Sequence, residues 1–177
     1  MPSIHTSSSK LAWLRDLMTR HEGPLLRYAT RLTGSEDGAR DVVQDTFCRL
    51  CGQPREKVEG HEAEWLFTVC RNRAFDVRRK EGRMHQDEGV LAARASAEPA
   101  PSAVIEGKET ASKLMSLVGT LPTDQREVVL LKFQNGYSYK EISRITELSV
   151  SNVGFLLHTA LKTLRGKVQA QPGLAQA

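Results

Sequence analysis

The stretch Ser138–Leu164, SYKEISRITELSVSNVGFLLHTALKTL, decides how this chain is read. Ser138 precedes Glu141 by three residues, the spacing of a capping box, in which the hydroxyl accepts from the Glu141 backbone N–H and the carboxylate reaches back. Ile142 and Ile145 then face inward. A second helix start falls at Ser149, and Val153, Leu157, Ala160, Leu161 and Leu164 recur at helical spacing, leaving the other face free. Two short helices joined by a tight turn make a helix-turn-helix, with the second helix placed to enter a DNA groove. An ordinary helical hairpin carries the same caps and stripes, so the exposed chemistry decides. Ser151 and Asn152 can hydrogen-bond base edges, Asn being a natural partner for adenine. His158, Lys162, Arg165 and Lys167 suit phosphate oxygens, and no acidic residue follows Val150.

At 177 residues the chain has room for one ordinary domain or two small ones, and its 26% charged and 6% aromatic residues suit a helix-rich soluble protein. The net charge of +4 is modest, so its placement matters more than its total. One basic cluster, Arg71, Arg73, Arg78, Arg79, Lys80 and Arg83 against Asp76 and Glu81, lies far from the acid-free C-terminal helix. Two separated basic surfaces suggest two contacts with one long polyanion. No apolar run approaches the roughly 20 residues that cross a bilayer, and MPSIHTSSSK lacks a secretory core, so a cytoplasmic protein without membrane insertion is expected.

Leu11, Leu14, Leu17 and Met18 open a first helix, which Leu25, Leu26, Ala29 and Leu32 continue past Gly23-Pro24, where a kink or interruption is predicted. Gly34 ends it and Ser35 caps the next, whose stripe is Ala39, Val42, Val43, Phe47 and Leu50. A third amphipathic helix carries Ala63, Leu66, Cys70, Ala74 and Val77. From Met84 to about Ala103 the pattern dissolves into Ala, Ser and Pro, the composition of a flexible linker. A short helix from about Val104 to Val118 and another over Thr123–Phe133 complete the second unit. The fold class is therefore all-α: two small helical domains joined by a flexible linker, the C-terminal one with the helix-turn-helix. Cys48 and Cys51 form a C-x-x-C, a spacing shared by redox and metal sites. With no second such pair and a helical pattern around it, structural thiols are the expectation, and neither metal nor cofactor is predicted. Glycine-rich phosphate loops, zinc-protease spacing and nucleophile motifs are all missing, so the chain is not read as an enzyme.

Four segments, DVVQDTF (Asp41–Phe47), WLFTVCRNRAFDVRR (Trp65–Arg79), LPTDQREVVLLKF (Leu121–Phe133) and YSYKEISRITELSVSNV (Tyr137–Val153), resemble in order and spacing a bacterial RNA polymerase sigma factor of the extracytoplasmic-function (ECF) type, within the sigma-70 family. The resemblance implies sigma region 2 over residues 10–84, a linker over 85–103 and sigma region 4 over 104–168. It implies core RNA polymerase and promoter DNA as partners and leaves room for an anti-sigma factor. By carry-over, Asp41, Gln44 and Asp45 make polar contacts with core polymerase, and Phe47 supports their helix from its core side or edge.

Carried over in the same way, Arg71, Asn72, Arg73, Asp76, Arg78 and Arg79 recognise and open the −10 element. Asn72 reads a base edge, the arginines hold phosphates or stack on bases, and Asp76 orients a neighbouring arginine. The loop Glu56–Glu62 resembles the family's pocket for a flipped base, Trp65 and Phe67 are candidate stacking platforms, and helical spacing gives Trp65 a core role as the alternative. Ser149, Ser151, Asn152, His158, Lys162 and Arg165 are implied at the −35 element. The chain departs from the family pattern at Gly154, Phe155, Leu156, Thr159, Leu161 and Thr163, where basic or polar residues are usual, and at Glu147, which stands where a turn glycine is common. An exposed Phe155–Leu156 pair is expected to serve a protein interface, such as an anti-sigma protein, unless the domain's own core buries both. The competing reading is a helix-turn-helix regulator that binds duplex DNA without polymerase.

Overall fold

A computed structural model describes residues 4–87 and 107–170 of the chain, with side chains over 9–80 and 111–170. Its described residues form seven α-helices and no strand. The chain divides into two compact units, Met1–Ala95 and Ser96–Ala177.

In the first unit, α1 (Ile4–Thr33), α2 (Glu36–Cys51) and α3 (Glu62–Asp87) each pack against the other two. The stop and start between α1 and α2 are local. Gly34 adopts φ +78°, which costs glycine nothing, and the Ser35 side chain accepts from the Gly38 backbone N–H at 3.0 Å. Glu36 and Asp37 then lie in the first turn, where the helix dipole favours acids. The core is built from Leu17, Leu25, Leu32, Val42, Leu50, Leu66, Cys70 and Ala74, and each fully buried leucine contributes about 1.5–3 kcal/mol. Tyr28 and Phe67 sit at its centre, their rings 5.1 Å apart and tilted by 50°.

The structure refines three expectations for this unit. Of the kink or interruption predicted at Pro24, the interruption does not occur, since the residue lies inside α1 without ending it. Leu25, Tyr28 and Ala29 immediately after it are fully buried, so packing on the neighbouring helices compensates for the backbone bond that proline cannot donate. Leu11 and Met18, read as part of the apolar face, are exposed. Finally, α3 continues to Asp87, so the first residues assigned to the linker are helical, while 88–103 lies outside the described residues, as does the predicted start at Val104.

The second unit comprises α4 (Gly107–Gly119), α5 (Thr123–Val129), α6 (Tyr139–Thr146) and α7 (Val150–Gln169). The helix predicted over Thr123–Phe133 is α5 followed without a gap by a π-helical turn, Leu130–Gln134, so the wider winding begins after Val129. Gly136, at φ +76°, turns the chain toward α6. Both α5 and α6 pack on α7, burying Val128, Leu131, Ile142, Ile145, Val153, Leu157 and Ala160.

Candidate nucleic-acid interface

Both helices of the helix-turn-helix begin at side-chain caps. Ser138 Oγ accepts from the Glu141 N–H at 3.3 Å while Glu141 Oε2 accepts from the Ser138 N–H at 2.7 Å, completing the capping box. The Ser138 hydroxyl and backbone hold the Glu141 carboxyl below its usual range. Between the helices Glu147 adopts a left-handed conformation, φ 62°, the strained state anticipated for a non-glycine residue in this turn. Ser143 Oγ donates to the Leu148 carbonyl at 2.6 Å and closes the turn.

Val153, Leu157, Ala160 and Leu164 turn inward, whereas Leu161, read as part of the same stripe, is exposed; α7 presents Ser151, Phe155, His158 and Lys162 on the face opposite the core, flanked by Asn152. Ser149 plays a second part: its hydroxyl accepts from the Asn152 backbone N–H at 3.2 Å and caps the helix. His158, Lys162 and Arg165 line one shallow cleft with Leu161. Lys167 is drawn away from that row by a hydrogen bond to the Thr120 hydroxyl. Phe155 is 66% exposed and Leu156 half-buried, so the domain core does not take up both members of the pair. Elsewhere in this unit Leu114, Met115, Val118, Phe133 and Leu161 line an apolar groove of about 610 Å³.

In the first unit α3 turns Leu66, Phe67, Cys70 and Ala74 inward and Asn72, Asp76, Arg78 and Arg79 outward. Phe67 is thereby corrected: buried against Tyr28, it cannot stack on a base. Trp65, half-buried and one heptad before Asn72, shares the outward face. The arginines are organised by neighbours. Arg79 lies 3.6 Å from Asp76, and the Arg71 guanidinium stands 4.8 Å over the Phe75 ring. At the start of α3, burial opposes the Glu62 charge, but backbone N–H groups and the Trp13 indole outweigh it and lower its pKa.

Asp41 and Gln44 are exposed on α2, opposite its buried stripe. Phe47 is buried, on the core side of the two alternatives. Asp45 is not a free docking carboxylate: its Oδ2 lies 2.6 Å from Arg73 Nε on α3, an ion pair without the alignment of a hydrogen bond. This pair joins two residues that sequence reasoning assigned to different partners. Cys48 and Cys51 are both exposed, against the expectation of structural thiols, whereas Cys70 is buried, which pushes its thiol up to about 12. No cluster of three or more metal-ligating side chains occurs among the described residues. None of the described helices is long and apolar enough to cross a membrane.

This arrangement belongs to the sigma-70 class: the family described as Sigma-70 region 2 matches residues 17–84, and Sigma-70 region 4 matches residues 111–164. Among curated proteins, the ECF RNA polymerase sigma factor SigL of Mycobacterium tuberculosis is 31% identical over 167 residues, covering 92% of this chain and 93% of its own. EcfG of Rhodopseudomonas palustris is 30% identical over 142 residues, 79% of this chain and 76% of that protein. The chain belongs to the ECF RNA polymerase sigma factors. Its fold is shared with the sigma factor RpoE solved in complex with the anti-sigma factor NepR from Bartonella quintana, at 23% identity and a TM-score of 0.67, over 96% of this chain and 99% of that one.

Proposed function

We infer that this protein is a promoter-specificity subunit with no catalytic activity of its own, acting in the cytoplasm. It binds core RNA polymerase, recognises −10 and −35 elements and promotes opening of the DNA for initiation. Residues 10–84 act as sigma region 2 and 104–168 as region 4, joined through 85–103. The observation that carries this reading is a division of exposed chemistry. The faces of α2, α3 and α7 turned from their cores hold Asp41 and Gln44, then Asn72, Arg78 and Arg79, then Ser151, Asn152, His158, Lys162 and Arg165.

Docking falls to α2, with Asp45 reaching the interface while paired to Arg73, and Phe47 holding the helix from within. Opening falls to α3. Separating bases costs a few kcal/mol per unstacked step, so the protein must capture a base and hold its strand. Asn72 reads a base edge, and Arg71, Arg73, Arg78 and Arg79 supply positive charge, with Asp76 orienting Arg79. In duplex DNA, Ser151 and Asn152 near the start of α7 reach base edges, Ser149 helps through its capped helix end, and His158, Lys162 and Arg165 follow the phosphates. Two weak contacts on one DNA gain from the high effective concentration that a connecting segment supplies. An anti-sigma factor is a further proposed partner, supported by the exposure of Phe155 and by a related fold solved with such a protein.

Run-off transcription with purified core enzyme tests the assignment. Specific initiation that depends on added protein supports it. DNA binding without any effect on initiation supports instead the regulator acting without polymerase, which leaves the exposed faces of α2 and α3 without a role.

A further inference from the structure

On α2 the exposed residues Asp41, Gln44, Cys48 and Cys51 are spaced three, four and three apart, which at 100° per residue confines them to a sector of about 80°. The buried residues Ala39, Val42, Val43, Thr46 and Leu50 occupy the opposite side, and buried Phe47 borders the sector next to Cys51. The proposed docking stripe thus runs on, without a change of face, into two exposed thiols. Helix geometry sets their Cα atoms about 5 Å apart, inside the window of about 4.4–6.8 Å that a disulfide spans. Their Cβ atoms, about 5–6 Å apart in a regular helix, must draw closer. Just past the pair the helix ends in tighter turns, where Gly52 N–H donates to the Arg49 carbonyl at 3.2 Å and Gln53 N–H to Leu50 at 3.0 Å, both three residues back, so the turn that must tighten adjoins a helix end and not a helix interior. Lys10 Nζ donates to the Cys51 and Gln53 carbonyls at 3.1 and 3.2 Å and anchors this helix end to α1. Rearrangement there is therefore felt at the join between the two helices.

We propose that Cys48 and Cys51 form a dithiol modification site for low-molecular-weight disulfides, and that its oxidation turns off docking to core polymerase. The docking half rests on the function proposed above. One cysteine thiolate attacks a sulfur of the reagent, forming a mixed disulfide and releasing one reagent thiolate, which takes up the proton. The second cysteine then attacks the protein sulfur of that mixed disulfide, closing Cys48–Cys51 and expelling the other reagent thiol. Two protein S–H groups are oxidised and one reagent disulfide is reduced to two thiols. Cys70, buried in the core and with its thiol pushed up to about 12, stays out of the exchange.

The test treats the full chain with hydroxyethyl disulfide, follows intact mass, and then measures affinity for core polymerase. The wild type is expected to lose two hydrogens and at least tenfold in affinity. Each single variant, Cys48→Ser or Cys51→Ser, is expected to keep the reagent adduct. The double variant is compared only with itself and is expected to show the same affinity before and after treatment. Saturating core polymerase added first should slow alkylation of both thiols by iodoacetamide. A wild type that keeps its adducts without closing the disulfide, or that closes it with undiminished affinity, overturns the proposal. If instead Gln44→Arg leaves core affinity unchanged, the docking face itself is misplaced, and that failure is read independently of the thiols.

Discussion

The outward faces of α3 and α7, both proposed above to meet nucleic acid, carry positive charge and organise it differently. On α3 the arginines are dense and internally engaged: Arg73 with Asp45, Arg79 with Asp76, Arg71 over Phe75. On α7 charge is sparse, and His158, Lys162 and Arg165 form no ion pair among the described residues. A surface that must hold a separated strand benefits from guanidinium groups already oriented, because side-chain ordering then costs less at the moment of binding. A surface that follows intact duplex needs reach more than order, and flexible cations satisfy phosphates at many positions. The exposed Phe155 stands in the middle of this second face, where a cation would have strengthened the grip.

The largest effect expected is on α2. Gln44→Arg should weaken core binding by roughly 2–3 kcal/mol, thirty- to a hundredfold or more, if the residue is a docking hot spot. Gln44 suits this better than Asp45, whose replacement would also release Arg73 and mix two effects. Next, Asn72→Ala should lose roughly 1–3 kcal/mol of −10 readout while core affinity holds. Equal loss of both would mean misfolding. A smaller effect distinguishes the two basic faces: Lys162→Ala should lower the slope of log affinity against log salt by about one unit, uniformly across sequences. Arg79→Ala, removing a cation already paired with Asp76, should lower it by less.

Two changes bear on stability within the second unit. Glu147→Gly should raise its unfolding free energy by about 1 kcal/mol, read from the denaturant midpoint, because glycine tolerates the left-handed turn. Hydrogen bonds from Ser138 hold the folded Glu141 carboxyl below the ordinary glutamate value of 4.5. Its contribution is therefore complete above that value and is lost as pH falls through the depressed folded pKa. Glu141→Gln, which keeps the cap geometry, should flatten that acid limb.

Local chemistry was legible in the sequence, and interactions across helices were not. The Ser138–Glu141 box and the Ser149 cap follow from residues within a few positions of one another, whereas the left-handed Glu147 stands out only by comparison with the family pattern. At Pro24 the helix runs on because the burial of Leu25, Tyr28 and Ala29 outweighs the local tendency to stop there. Thr46 hides in the core because its hydroxyl bonds the Val42 carbonyl at 2.8 Å, a polarity that composition reads as exposure. The Asp45–Arg73 pair joins different helices, so no periodicity announces it. The exposure of Cys48 could have been found, since it lies nearly opposite Ala39, Val43 and Leu50 on the helix.

Permanganate reactivity of promoter thymines, in mixtures of core polymerase, the full chain and duplex DNA, addresses the proposed mechanism most directly. Unpaired thymines should appear near the −10 element only when core and this protein are both present, while the −35 element stays double-stranded. A duplex that remains closed at both elements, with the protein demonstrably bound to polymerase and DNA, would contradict it.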